Sequence, residues 1–157
     1  MDDIDRQIVD LLRDNGRMSY AELARQVGLT APSVHERVGK LESTGVIRGY
    51  QADITPELIG LGVTALIGIV QEAGTAIGDV VTALHALPEI ESCYFLAGEE
   101  SFLLKVRVGS MAELEQLIVR LSRTHGVART RTTVALSTKW EGRPQPARER
   151  PDGRDLA

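Results

Sequence analysis

Two short helical segments, separated only by Gly28, Leu29 and Thr30, constrain this chain more than anything else in it. Ser19-x-x-Glu22 is a capping box, in which a hydroxyl and a carboxylate satisfy the free N–H groups of a new helix. The helix it opens, Tyr20 to Val27, is short, and Gly28 permits the left-handed backbone of a tight turn. Thr30 caps the next helix, with Pro32 tolerated in its first turn. That helix runs to about Ser43, buries Val34, Val38 and Leu41, and ends at Gly45. Ahead of the pair, Asp2 or Asp3 caps a helix reaching about Asn15, with Ile4, Ile8, Leu11 and Leu12 at helical spacing. Three short helices with a tight turn between the second and third predict a helix-turn-helix. Val46 to Ala52 reads as extended, which predicts a small wing. Asp53 to Gly60, containing Pro56, reads as a link.

The second half changes period. Leu61 to Val70 alternates as a strand, with Leu61, Val63, Ala65, Ile67 and Ile69 on one face. A helix follows on Ile77, Val80, Val81, Leu84 and Leu87, stopped by Pro88. Ile90 to Ala97 is a second strand, Gly98-Glu99-Glu100-Ser101 a turn, and Phe102 to Val108 a third strand. Met111, Leu114, Leu117, Ile118 and Leu121 stripe another helix ending at Gly126, and Val127 to Thr138 is the last strand. The order β-α-β-β-α-β is the ferredoxin-like split unit. The fold class is therefore α+β: a winged helix-turn-helix in residues 1–50, a linker or wing in 51–60 and a ferredoxin-like domain in 61–139. Residues 140–157, rich in Arg, Pro, Glu and Gly, read as a disordered tail.

Composition narrows the function. The longest uncharged run, Leu58 to Gln71, is too short for a membrane span and is broken by three glycines. The acidic start Met1-Asp2-Asp3 is unlike a signal peptide. Cys93 is the one cysteine, so no internal disulfide or cysteine-based metal cluster forms, and a reducing cytoplasmic home is the expectation. His35, His85 and His125 lie in different elements with no metal-pair spacing and read as surface residues. No nucleophile with a paired base and no phosphate loop is evident, so catalytic residues, metal and cofactor are expected to be absent.

The net charge of −4 hides a local bias. From Gly16 to Tyr50 there are five bases (Arg17, Arg25, Arg37, Lys40, Arg48) against three acids (Glu22, Glu36, Glu42). On the third helix the face opposite Val34, Val38 and Leu41 carries Pro32, Glu36, Gly39 and Ser43, flanked by Ser33, His35, Arg37 and Lys40. Short polar side chains and arginine on such a face suit a DNA major groove. Arg37, Lys40 and Arg48 are the natural phosphate contacts, and Glu36 suits only a cytosine amino group. A merely solvated polar face is the plainer alternative.

In the second half, the acidic turn Gly98 to Ser101 sets two carboxylates and a hydroxyl where an ammonium group could meet them; taken alone, a solvated hairpin loop is the plainer reading. Leu103, Lys105 and Arg107 share one face of the third strand, and Arg129, Arg131 and Thr133 one face of the fourth. Helices cover only one side of such a sheet, so the other meets water or a second subunit.

Taken together these motifs resemble the Lrp/AsnC (feast/famine) transcriptional regulators. The likeness runs from Asp2-Asp3-Ile4-Asp5 through Asn15-Gly16-Arg17-Met18-Ser19, Glu22-Leu23-Ala24, Val27-Gly28-Leu29-Thr30 and Gly45-Val46-Ile47-Arg48-Gly49-Tyr50. It continues over Gly98 to Val106, Gly126-Val127 and Thr130-Arg131-Thr132. The resemblance implies double-stranded operator DNA as partner and dimers joined through their sheets, which in such proteins often assemble into octameric discs. It also implies an amino-acid effector held between dimers. The DNA-binding candidates are Ser33, His35, Glu36, Arg37, Lys40 and Arg48. The effector-site candidates are Gly98, Glu99, Glu100, Ser101, Thr132 and Val134. Many members carry Asp where this chain has Ser101 and an aromatic where it has Glu100. An effector-independent architectural DNA-binding protein is the alternative.

Overall fold

Asp2 caps α1 (Asp3–Asp14) through a reciprocal box: its carboxylate accepts from the Asp5 N–H at 2.8 Å, and its own N–H donates to Asp5 at 3.0 Å. Ser19 caps α2 (Tyr20–Val27), and Gly28 ends it at φ 72°, where only glycine sits without strain. Thr30 caps α3 (Ala31–Ser43). The three helices bury Ile8, Leu12, Leu23, Ala24, Val34, Val38 and Leu41 in one apolar cluster, with Ile4, Leu11 and Ile47 packed against it.

The structure, a computed structural model, describes residues 1–148. It divides into two compact units: Met1–Asp53 together with the chain from Trp140, and Ile54–Lys139. No described helix is long and apolar enough to cross a membrane.

The expected wing does not form. Residues 46–52 make no strand. A strand needs a partner for its ladder, and these residues turn back on α3 instead. The Ile47 N–H donates to the Leu41 carbonyl at 3.0 Å, and the Tyr50 hydroxyl donates to Glu42 at 3.0 Å. Partial burial and the Glu42 carboxylate push the Tyr50 phenol up to about 12.

The second unit begins with a single 3-10 turn, Pro56–Ile59, and continues as β1 (Val63–Gln71), α4 (Ile77–His85), β2 (Ile90–Phe95), β3 (Phe102–Val108), α5 (Met111–Ser122) and β4 (Val127–Val134). The four strands form one antiparallel sheet in the order β2-β3-β1-β4. Ala65, Ile67, Ile69, Phe102, Leu104, Val106 and Val108 pack on Val80 and Leu84 of α4 and on Leu114, Leu117 and Leu121 of α5. Two expectations shift. β4 stops at Val134 rather than Thr138, because β1 supplies its ladder only to Ala65, with one more bond from Ala135 to the Thr64 carbonyl. On α4, Ile77 and Val81 stay exposed: only the Val80–Leu84 side of this short helix reaches the sheet.

The opposite face of the sheet is uncovered within the chain. Across it run Tyr94, Leu103, Gly68 and Arg131 in one row and Ser92, Lys105, Leu66 and Thr133 in the next. Glu91 accepts from Lys105 at 2.6 Å and from Arg107 at 2.5 Å. Burial alone would raise the Glu91 carboxyl, but these two cations outweigh it and hold it below its ordinary value.

Of the expected tail, residues 140–148 form no helix or strand. Arg13 donates to the Gln145 carbonyl, and the Ala147 N–H donates to Asp10 at 2.8 Å. Residues 149–157 lie outside the described residues.

Candidate functional site

The outward side of α3 is built by the turn before it. Thr30 accepts from the Ser33 N–H and shares a 2.9 Å hydrogen bond with its hydroxyl, so Ser33 is engaged in the cap. His35 stands edge-on to Tyr20 of α2, with ring centroids 5.0 Å apart. Glu36 and Lys40 are exposed on the same helix, as is Arg48 beyond it. Neither Lys40 nor Arg48 makes an ion pair among the described residues, so both cations are available to a polyanion.

Arg37 is placed differently from its expected phosphate role. Its Nη1 donates to both Asp2 and Asp5, each at 2.7 Å. The guanidinium thus fastens α3 to the two carboxylates that cap α1. Bonds from Asp2 and then Asp5 push Arg37 up, and the Asp5 N–H, followed by Arg37, holds the Asp2 carboxyl below its ordinary value. A carboxylate with a depressed folded pKa contributes stability that is complete above its unfolded pKa and lost as the pH falls through the folded one. The helical unit should therefore loosen in acid, below the ordinary aspartate range. In Asp2→Asn, which keeps a capping side chain but no charge, that acid-dependent part should be missing. Melting curves followed by circular dichroism between about pH 5 and pH 2 check it; identical pH profiles for the two proteins would refute the clasp.

In the sheet unit, Val70, Glu99, Glu100, Arg129, Thr130 and Arg131 line a cavity of about 290 Å3 beside the Gly98–Ser101 turn. Two of the sequence-derived candidates, Glu99 and Glu100, reach it. Gly98 does not line it. Ser101 is used by the backbone: its N–H donates to the Ile69 carbonyl at 2.8 Å and its hydroxyl accepts from the Gln71 N–H at 3.3 Å, which ties the turn to β1. Thr132 and Val134 pair with Ile67 and Ala65, which places them on the helix-covered side of the sheet, away from the cavity's arginines.

Arg129 and Arg131 are the residues that the sequence-based candidate set lacks. Their alternation on β4 puts them on the uncovered face, but only the strand order brings the turn over them. Arg129 donates to Glu99 at 3.1 Å, and Arg131 pairs with Glu100 at 2.6 Å. Glu100 lies against Gly68, where a Cβ would overlap its carboxyl group. The result is a cleft lined by two carboxylates and two guanidinium groups, a charge set that complements both ends of a zwitterion. Among the described residues there is no cluster of side chains able to hold a metal ion.

The comparisons agree with both units. The family model of the AsnC-type helix-turn-helix domain matches residues 1–42, and that of the Lrp/AsnC ligand binding domain matches residues 64–145. The chain is 43% identical over 143 residues to the HTH-type transcriptional regulator LrpA of Mycobacterium tuberculosis, spanning 91% of this chain and 95% of that protein. It superposes with TM-score 0.88 on a feast or famine regulatory protein of M. tuberculosis solved in complex with L-methionine, at 42% identity over 93% of this chain and 99% of that one. It superposes with TM-score 0.83 on a Neisseria meningitidis transcriptional regulator, also solved with L-methionine, at 29% identity over 89% and 92% of the two chains. These relatives are regulators and not enzymes. With a capped helix-turn-helix in one unit and a βαββαβ ligand-binding fold in the other, the chain belongs to the Lrp/AsnC family of transcriptional regulators.

Proposed function

We propose that this regulator is a sequence-specific, cytoplasmic DNA-binding protein that works as a homodimer or a larger assembly of dimers, and that an amino acid modulates it. The observation that carries the proposal is the pairing, in one chain, of a helix-turn-helix whose exposed side carries Lys40 and Arg48 with a separate unit holding a cleft of opposed charges. α3 lies in the major groove. Ser33, His35 and Glu36 face base edges, and Lys40 and Arg48 hold phosphates. Arg37 acts through α1, setting the pose of α3. Two such helices held by a twofold require a roughly palindromic operator.

The uncovered sheet face joins the two copies, since it offers exposed Leu66 and Tyr94 and half-buried Leu103 beside cations that Glu91 bridges. The cavity opens on that same face, so joining two copies would help to enclose it. The L-methionine bound in the two solved relatives supports an amino acid as the effector here. A ligand alters DNA binding only if it binds one assembly better than another.

The test is fluorescence anisotropy on promoter DNA, with and without each amino acid, run beside sedimentation of the free protein. The expected result is salt-sensitive binding that at least one amino acid changes, together with a shift in assembly. DNA binding indifferent to all twenty would leave an architectural protein and remove the effector half of the proposal. A stable monomer at micromolar concentration would remove the dimer.

A further inference from the structure

The two ion pairs in the cavity differ in character. Glu99 and Arg129 meet in solvent with both side chains largely exposed, so an arriving ligand can rearrange them. Glu100 is fixed. Its side chain is 15% exposed, against 75% for its partner Arg131. It occupies the space on β1 that a Cβ at position 68 would fill, so glycine there is what lets a carboxylate rest on the sheet. A group locked by packing keeps its geometry when a ligand binds, and a solvated pair does not. Discrimination between ligands therefore falls to Glu100, the one charged group here that packing holds in place.

Every α-amino acid brings one carboxylate and one ammonium group. The solvent-exposed pair, Arg129 and Glu99, carries the opposite charge to each. What then faces the ligand's side chain is Glu100 with Arg131; Val70 is the one apolar residue that this chain lends to the lining. An aliphatic or thioether side chain would strip water from these charged groups and return no hydrogen bond. A side chain bearing an amide, a carboxylate or a cation would replace the water it displaces. We infer that Glu100, seated on Gly68 and paired with Arg131, makes this cavity select amino acids with hydrogen-bonding or charged side chains over aliphatic and thioether ones. This rests on the amino-acid reading above and narrows it.

The experiment is titration calorimetry of the full chain with glutamine, glutamate, lysine and arginine against leucine and methionine. Wild type, Glu100→Leu and Gly68→Ala are compared, with circular dichroism confirming that each is folded. In wild type, at least one polar ligand is expected to bind about tenfold or more tightly than leucine or methionine. Glu100→Leu should shrink or reverse that ratio. Gly68→Ala should shrink it too, because the new methyl lifts the flexible end of Glu100 off the sheet without altering its charge. It also serves as the independent route if Glu100→Leu misfolds. Leucine or methionine binding wild type as tightly as every polar ligand overturns the inference and leaves the effector proposal standing. So does a ratio unchanged in the folded variants. Absence of binding by all six ligands overturns the inference as well; whether the broader effector proposal falls with it is decided by the scan of all twenty on DNA.

Discussion

The double variant Lys40→Ala/Arg48→Ala is expected to bind promoter DNA on the order of tenfold to a hundredfold more weakly than wild type, with its melting temperature unchanged. Both side chains are exposed and neither belongs to the helical core. The weakening should be nearly uniform across sequences, because phosphate contacts position a protein without reading bases. It should also flatten the salt dependence, by about 0.9 in the slope of log K against log salt for each phosphate that is no longer neutralised. Anisotropy titrations at several salt concentrations measure both. An unchanged slope would mean that α3 and the segment after it do not meet the DNA backbone. Arg37→Ala is the informative contrast. Because its guanidinium bridges Asp2 and Asp5, it should weaken DNA binding and lower the melting temperature together.

Phe102→Ala should be the most damaging single change to the sheet unit, costing about 3–5 kcal/mol of its stability. Phe102 is wholly buried at the start of β3, it pairs with Phe95 of β2, and the two rings lie 5.2 Å apart. Truncation removes the largest fully buried side chain among the described residues and leaves a void between sheet and helices. It also loosens the strand that carries the Gly98–Ser101 turn, so ligand binding should fall with stability. Denaturant unfolding of the purified variant measures the first effect and calorimetry the second. A loss below about 1 kcal/mol would show that the site collapses to fill the space.

Local chemistry was enough to read the boundaries of α2 and α3. Ser19, Gly28 and Thr30 fixed the ends of α2 and α3 because caps and left-handed glycines act within a single turn. Period-two alternation assigned the faces of β3 and β4 for the same reason. The wing failed because an extended stretch becomes a strand only beside another, and nothing local to residues 46–52 reveals the missing partner. The effector site was half legible. The acidic turn stood out in the sequence, but its cationic partners sit about thirty residues later on β4 (Glu99 with Arg129, Glu100 with Arg131).

Spacing along the chain thus accounts for the helix-turn-helix, for the order of strands and helices and for the apolar side of most elements, with α4, where Ile77 and Val81 stay exposed, as the exception. That Arg37 clasps α1 and that Glu100 rests on Gly68 against Arg131 became visible only in the packed fold. Those contacts join residues far apart in sequence, and their energy depends on where the fold brings two charges together and how much water it leaves between them.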